Sequence, residues 1–254
     1  MCLIAFAWNA HPRWRLVLAG NRDEFHGRPT ASLGRWPDTT MAAGRDLEAG
    51  GTWLGVNDAG RCAVVTNVRD PRDPQVGRSR GLLAVDYLTG PLDAPAHAAQ
   101  LRADAANYRP FNLLTFDAGD GFYLGNRPQP RLQAIDAGVH GLSNADFNAP
   151  WPKTRALMRR LQGWLDADAP EVEPLFAALA DEHQAPDEDL PDTGIGLERE
   201  RWLSSAFIRG EHYGTRASTL VLIDHHGAGH IIERRFGPNG RPDGQTELRF
   251  GAVD

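Results

Sequence analysis

Short apolar segments joined by short polar turns constrain the fold of this chain more than any other feature of its sequence. Four such segments form two consecutive pairs, residues 2–9 with 15–20 and residues 52–57 with 61–68. The first connection contains Pro12, and the second is the turn Asn57-Asp58-Ala59-Gly60. Connections of this length cannot hold the crossover helix that a parallel pair requires. We therefore expect antiparallel hairpins.

Strand patterns occupy both ends of the sequence, and helical patterns lie between them. Further short strand segments are bounded by Gly, Asp or Pro, at 111–117, 121–126, 131–136, 206–224, 229–237 and 246–250. Helical periodicity is found at 79–89, 95–107, 151–166 and 171–183. This order favours an α+β fold with antiparallel sheets, in one domain spanning residues 1–254. The Pro-containing acidic segment 185–196 is typical of an exposed loop, and a lid is the alternative.

Composition excludes several classes of protein. The 254 residues include 41% hydrophobic and 24% charged ones, and no run approaches the ~18 apolar residues of a membrane span. Lys plus Arg number 27 against 33 Asp plus Glu, a net charge of -6 that argues against nucleic acid as a partner. Lys153 is the only lysine, and no Gly-rich loop leads into it, which excludes P-loop chemistry. The sequence predicts a soluble protein without a membrane span.

Cysteine usage indicates a reducing compartment, so we expect a cytoplasmic protein. Cys2 and Cys62 are too few for a disulfide framework or a Cys-rich zinc site. Residues 2–8 are apolar but have no basic segment before them, which is typical of a strand and not of a signal peptide. Cys62, within RCAVV, is expected to be a core thiol.

Cys2 combines a reactive side chain with a position next to the initiator methionine. Removal of Met1 would give Cys2 a free α-amine, whose pKa of ~7.7 to 8.0 is far below the ~10.4 of a lysine amine. Such an amine can take the thiol proton near neutral pH, and the thiolate can then attack a carbonyl carbon. The alternative is an apolar cysteine that begins a strand.

Polar residues directly after the strand 15–20 extend this hypothesis. If residues 2–9 pair with 15–20, the group Asn21-Arg22-Asp23-Glu24 lies near the start of the chain. Asp23 would then hold the α-ammonium of Cys2, and Arg22 would bring positive charge to the nucleophile. Asn21 and Arg22 are predicted to contact substrate. A charged turn with internal ion pairs is the alternative.

Two asparagines and one arginine complete the candidate site. Asn67 and Asn144 follow apolar or glycine-bounded segments and are suited to donate to an oxyanion, with ordinary turn capping as the alternative. Arg216 opens a late strand and is a candidate to bind a carboxylate, with a surface arginine as the alternative. We expect these side chains, Cys2 and Asp23 to converge on one cleft.

Other polar clusters are weaker candidates. His225, His226 and His230 crowd the segment DHHGAGH, which is typical of a solvated turn, with a metal site as the alternative. Glu198 and Glu200 with their arginine neighbours are typical of a solvated helix face. We predict no metal and no cofactor.

The ordered motifs of this chain resemble those of the NRDE-motif family, whose animal members are called transport and Golgi organisation protein 2. They are MC at the start, NRDE at 21–24, GGTWLG at 50–55, TN at 66–67, RSRG at 78–81, HGLSNA at 140–145, WPK at 151–153 and YGTRASTL at 213–220. The resemblance runs from Met1 to about Phe236. It implies kinship with N-terminal-nucleophile (Ntn) hydrolases and hence a four-layer αββα sandwich.

Within that superfamily the pattern is similar to bile salt hydrolases and penicillin V acylases. The resemblance implies that Cys2 is the nucleophile and that Asp23, Asn67, Asn144 and Arg216 are its partners. It thus implies hydrolysis of an amide C–N bond in a small molecule. In those acylases the arginine precedes the asparagine and aspartate, whereas here the order is Asn21-Arg22-Asp23.

The same resemblance implies a rival function. Animal members of the family are associated with haem mobilisation and with lipid or acyl-CoA metabolism, which implies a carrier of an apolar ligand. No CxxCH haem-attachment motif is present in the sequence. A third alternative is an Ntn fold that keeps its site geometry without turnover.

Overall fold

The computed structural model describes residues 2–72, 76–168 and 170–251, and its strands form two antiparallel sheets. The first sheet has the order β10-β1-β2-β11-β12-β13. Its strands are β1 (Cys2–Trp8), β2 (Trp14–Phe25), β10 (Gly138–Leu142), β11 (Tyr213–Asp224), β12 (Gly229–Phe236) and β13 (Pro242–Phe250). β1 lies between β10 and β2, so Cys2 begins an inner strand of this sheet.

The second sheet is a meander in sequence order, β3 to β9. Its strands are β3 (Thr30–Arg35), β4 (Met41–Asp46), β5 (Leu54–Asn57), β6 (Cys62–Asn67), β7 (Phe111–Phe116), β8 (Gly121–Gly125) and β9 (Arg131–Ala134). Each consecutive pair is joined by a hairpin except β6 and β7, between which the first two helices are inserted.

The helices are short and lie between strands. They are α1 (Gly81–Thr89), α2 (Ala94–Asp104), α3 (Pro152–Asp166), α4 (Glu173–Leu179) and α5 (Leu197–Trp202). In α3 the apolar residues Leu157, Leu161, Trp164 and Leu165 are buried on one face, as their helical spacing predicts. No helix within the described residues is long and apolar enough to cross a membrane.

Alternating side chains of the buried strand β1 reach two different cores. Ile4 and Phe6 pack with residues of the second sheet, including Val64 and Phe116, so this core joins the two sheets. Leu3 and its odd-numbered neighbours on β1 pack instead against residues of α3 and α4. This two-sided burial explains why residues 2–8 form a continuous apolar run. Separate clusters join α1 and α2 to the second sheet.

The structure confirms most of the strands and helices expected from the sequence. The strands β3, β4 and β10 were not expected, and the strand segment expected at 206–224 begins only at Tyr213. β2 runs on through Asn21-Arg22-Asp23-Glu24, for which a charged turn was the alternative. The helix expected at 171–183 is shorter, from Glu173 to Leu179. The extension of β2 matters for the site, because it makes the four polar residues central strand residues with fixed directions.

Candidate functional site

The register of β1 and β2 places Cys2 beside Arg22, with Asp23 next along the strand. Cys2 is 7% exposed and lines a cavity of about 160 Å³ at this end of the first sheet. The rest of the lining comprises Asp23, Glu24, Arg28, Asp46, Ala49, Gly51, Thr52, Trp53, Val65, Asn67, Ser79, Arg80, Gly81 and Arg109. The cavity therefore lies where the ends of both sheets meet.

Asp23 is buried and faces its neighbour on the next strand. Its Oδ1 accepts a hydrogen bond of 2.7 Å from the hydroxyl of Thr215, which is paired with Asp23 in the sheet. Burial raises the pKa of Asp23, and the positive charges of Lys153 and Arg69 act against that rise. Asp23 is thus a carboxyl group whose charge depends on the cations close to it.

The thiol of Cys2 is also held in its neutral form. Burial raises its pKa, the charge of Asp23 raises it further, and the positive charge of Arg22 opposes both. A thiolate at this position therefore requires a nearby base to take the proton. Cys62 differs, because it is fully buried in the core between the sheets and burial alone raises its pKa to about 12. The expectation of a core thiol at Cys62 is confirmed.

Asn67 and Asn144 lie together, but only Asn67 lines the cavity. The amide nitrogen of Asn144 donates to both the backbone oxygen (3.0 Å) and the side-chain oxygen (2.9 Å) of Asn67. Because its side-chain oxygen already accepts from Asn144, the side chain of Asn67 has its two N–H groups to offer a ligand in the cavity. Asn144 is buried, and the hydroxyl of Ser143 beside it donates to the backbone oxygen of Cys2 at 2.9 Å. The segment 143–144 thus connects Cys2 to Asn67.

Arg22 and Arg216 line a neighbouring cavity of about 80 Å³, which shares Asp46, Thr52 and Trp53 with the cavity at Cys2. Arg216 occupies a bulge in the pairing of β11 with β2. Its Nη1 donates to the backbone oxygens of Phe25 and Arg28 and to the hydroxyl of Thr30. Arg216 therefore braces the turn after β2 and does not line the cavity of Cys2, so the five predicted residues do not share a single cavity.

Asn21 points away from both cavities, toward the helices. Its amide nitrogen donates to the backbone oxygens of Leu179 and Ala206, each at 2.8 Å, and its oxygen accepts from Ser218. The side chain is fully buried in these contacts. Asn21 thus ties the first sheet to the end of α4 and to the segment after α5, and it lines neither cavity.

Three basic residues that sequence analysis did not select line the cavity: Arg28, Arg80 and Arg109. Arg80, within the RSRG motif, comes directly before α1, and Arg109 precedes β7. Gly51 of the GGTWLG motif packs so closely on Gly81 that an added Cβ would overlap its carbonyl carbon. The backbone nitrogen of Thr52 also donates to the oxygen of Gly81 at 3.1 Å. In the sequence, the RSRG and GGTWLG motifs of the family resemblance were the only indication of this wall of the cavity.

Glu200 corrects the expectation of a solvated helix face. Glu198 is exposed, but the Glu200 side chain is 4% exposed and forms an ion pair of 2.7 Å with Arg69, itself 7% exposed. Glu200 also accepts hydrogen bonds from the backbone nitrogen and hydroxyl of Thr193. The backbone nitrogen of Arg69 donates to the oxygen of Asn144. The pair therefore fastens the end of the 185–196 loop next to the candidate site.

The histidine-rich segment forms the tight turn between β11 and β12. A carboxylate oxygen of Asp224 accepts from the backbone nitrogens of His226 and Ala228, which is the pattern of an ordinary polar turn. Within residues 2–72, 76–168 and 170–251, no group of three or more His, Cys, Asp or Glu side chains is arranged to hold a metal ion.

A solved structure of the Ntn-hydrolase type has a similar fold. It is a Caenorhabditis elegans N-acylethanolamine-hydrolyzing acid amidase ortholog, which superposes with a TM-score of 0.51 over 87% of this chain and 92% of that chain. Only 10% of the aligned residues are identical, so the likeness shows the fold alone.

Sequence comparison shows the family. The family Transport and Golgi organisation 2 matches residues 1–238, and this chain belongs to it. The Transport and Golgi organization protein 2 homolog of Bos taurus is 35% identical over 262 residues, and that of Homo sapiens is 34% identical over 258. Each comparison covers 92% of this chain and 92% of the relative.

Proposed function

We propose that this chain is an N-terminal-nucleophile hydrolase that cleaves an amide C–N bond of a small molecule, with Cys2 as nucleophile after removal of Met1. The observation that carries the proposal is the cavity lined by Cys2, Asp23 and Asn67 together. The proposal includes a four-layer αββα arrangement in a single domain, residues 1–254, and a cytoplasmic location. Helices packed on the outer faces of both sheets support that arrangement.

The first step uses the α-amine of the processed Cys2 as base. The antiparallel register brings the amino end of Cys2 to Asp23, which would hold the amine in place. The amine takes the proton of the thiol, and Sγ forms a bond to the carbonyl carbon of the substrate. Because the pKa of the Cys2 thiol is raised by burial, this proton transfer is essential for reactivity.

The tetrahedral intermediate carries a negative oxygen, which requires a hydrogen-bond donor. The N–H groups of Asn67 are suited to this role, and Asn144 acts as a positioning residue because it holds the oxygen of Asn67. The C–N bond then breaks, and the leaving nitrogen takes the proton from the α-ammonium. Water, giving one proton to the amine, hydrolyses the thioester, which releases the carboxylic acid and restores the thiol.

The decisive experiment compares two cysteine variants of the full chain, Cys2→Ala and the matched control Cys62→Ala. Protein purified from cells is first weighed by mass spectrometry, and loss of the Met1 mass is expected. A panel of N-acylethanolamides and N-acyl amino acids is then tested for amine release. We expect turnover in the Cys62→Ala protein, none in Cys2→Ala, and preferential alkylation of Cys2 by iodoacetamide.

Variants of the amides separate donation from positioning. Asn67→Ala is expected to lower kcat by about 10²- to 10³-fold, the usual cost of losing one oxyanion donor. Asn144→Asp cannot donate to Asn67, so kcat should fall while KM changes little. Full retention of Met1, or equal turnover by the Cys2→Ala protein, would overturn the hydrolase proposal. If haem or acyl-CoA then binds independently of Cys2, a carrier function replaces it, in line with relatives named for transport and Golgi organisation.

A further inference from the structure

We propose that the substrate of Cys2 carries an anionic group, a carboxylate or a phosphate, and that Arg80 and Arg109 bind this group. The inference rests on the proposed function, since it assigns a substrate class to the same cavity. Both arginines line that cavity together with Cys2. The two side chains have few other contacts, and the carboxylates of Asp46 and Glu24 already accept hydrogen bonds from other groups.

Arg80 is a partly buried cation with little to neutralise it. Its Nη1 donates to the backbone oxygen of Pro110 at 3.3 Å, and this neutral contact leaves several of its N–H groups for a ligand. No carboxylate in the described part of the chain lies within 4.0 Å of the guanidinium of Arg80 or Arg109. Arg80 is half-buried and Arg109 is exposed, so the cavity presents two guanidiniums whose charge an anionic ligand can neutralise.

Backbone contacts hold the two arginines on one wall. The backbone nitrogen of Arg109 donates to the oxygen of Arg78 at 3.1 Å, and that of Arg78 donates to Asn107 at 2.9 Å. Burial lowers the pKa of Arg80, and the positive charge of Arg109 is among the groups that lower it further. An anion bound between the two guanidiniums would relieve this repulsion and form charge-assisted hydrogen bonds.

The carboxylates of the cavity are committed elsewhere. Asp46 accepts from Nε of Arg28 at 2.7 Å and from the backbone nitrogens of Glu48 and Ala49, each at 3.0 Å. Glu24 accepts from the backbone nitrogen that follows it at 2.8 Å, and its other oxygen lies 3.7 Å from Arg22. The cavity is therefore divided between engaged carboxylates and a pair of available arginines.

The wall that carries Arg80 also has a fixed position. The close packing of Gly51 on Gly81 fixes the start of α1, and no acidic residue occupies the first turn of this helix. The wall that carries Arg80 therefore has a fixed geometry, with no competing carboxylate at the start of α1.

Binding to a protein that cannot turn over tests this inference separately from hydrolysis. In the Cys2→Ala background, isothermal titration calorimetry compares glutaryl-p-nitroanilide and 4-phosphonobutanoyl-p-nitroanilide with the neutral valeryl-p-nitroanilide. Arg80→Ala, Arg80→Lys and Arg109→Ala are compared with the control Arg102→Ala, which removes an exposed arginine of α2 outside the cavity. Thermal unfolding by circular dichroism establishes that each variant is folded.

We expect an anionic anilide to bind more tightly than the neutral one, and Arg80→Ala to weaken its binding about 10- to 100-fold. Arg80→Lys should restore only part of this, because an ammonium lacks the bidentate fork. Arg102→Ala should leave the affinity for an anionic anilide unchanged, and Arg80→Ala should leave the affinity for the neutral anilide unchanged. The stronger of the two anionic probes identifies a carboxylate or a phosphate. If Arg80→Ala does not fold, the exposed Arg109→Ala carries the same comparison.

Two results would overturn the inference. One is equal affinity for the charged and neutral anilides, and the other is a loss of affinity in Arg102→Ala as large as that in Arg80→Ala. Turnover measured with Cys2 intact separates the two proposals. Hydrolysis that is indifferent to Arg80 and to the anionic group refutes the substrate class and leaves the hydrolase intact. Arg80-dependent binding of an anion without hydrolysis refutes the hydrolase and retains the anion site.

Discussion

Substitution of Glu200 by alanine should destabilise the protein far more than any surface change on the same helix. Glu200 and Arg69 form a buried ion pair of 2.7 Å, and Glu200 also accepts two hydrogen bonds from Thr193. Glu200→Ala would leave the guanidinium of Arg69 buried without this carboxylate. Arg69 is two residues beyond Asn67 and bonds to the backbone of Asn144, so the change reaches the candidate site.

The size of the effect follows from the burial of both side chains. Removing one partner of a buried pair costs about 3 to 5 kcal/mol, because the remaining charge loses its compensation. For a domain of this length, that corresponds to a fall in Tm of roughly 6 to 20 °C. Since natural domains are stable by only about 5 to 15 kcal/mol, the variant would remain folded at 25 °C with a small margin.

Urea unfolding followed by circular dichroism measures this difference. The matched control is Glu198→Ala, which removes an exposed carboxylate from the same helix and should change stability by less than about 0.5 kcal/mol. Glu200→Gln separates charge from shape, because it keeps an acceptor for Thr193 and removes the negative charge. If Glu200→Ala and Glu198→Ala unfold at the same urea concentration, the buried pair does not stabilise the fold as argued.

Three further predictions concern stability. Burial lowers the pKa of Lys153 from 10.5 to about 8, so between these pH values the unfolded chain binds more protons and stability rises with pH. The unfolding free energy of the wild type should therefore gain on that of Lys153→Met as pH increases from 7 to 10, and a constant difference would contradict this. Gly163→Ala, in an open position of α3, should raise the unfolding free energy by about 0.5 to 1 kcal/mol in urea titrations. Gly51→Ala should lower it by about 1 to 3 kcal/mol, because its Cβ would overlap Gly81, and unchanged stability would refute that close packing.

Hydrophobic patterning predicted most of the strands but missed β3, β4 and β10, although Met41, Ala42 and Ala43 of β4 are buried. In β3 only Leu33 is buried, and the other residues are half-buried or exposed. β10 contains two glycines in five residues, and it pairs with the edge of β1 from a position more than 130 residues away in sequence. Pairing with an existing strand stabilises such segments, and no local pattern contains that information.

The sequence ended the strand before Asn21-Arg22-Asp23-Glu24 and left a charged turn as the alternative, because polarity normally indicates a turn. In the structure Asn21 and Asp23 remain in a buried strand because each finds a hydrogen-bonding neighbour on β11, Ser218 and Thr215 respectively. Those partners are almost 200 residues away in sequence. Local composition therefore could not show that the strand continues through these residues.

For the candidate site, sequence identified the groups but not the direction of their contacts. Asn67 and Asn144 were both expected to donate to an oxyanion, yet the amide nitrogen of Asn144 donates twice to Asn67. Arg216 was expected in the same cleft as Cys2, and the bulge in β11 turns it to the neighbouring cavity. Hydrogen-bond direction and strand irregularity are properties of the folded chain alone.

The electrostatics of the site connect processing with reactivity in the proposed mechanism. Burial raises the pKa of Cys2 and of Asp23, and the negative charge of Asp23 raises the pKa of Cys2 further. An α-ammonium generated on Cys2 would lie beside Asp23 and would stabilise both the carboxylate and the thiolate. Removal of Met1 would then supply the base and lower the cost of forming the nucleophile in a single step. Asp23→Asn should accordingly reduce kcat and shift its pH profile, while alkylation of Cys62 stays unchanged.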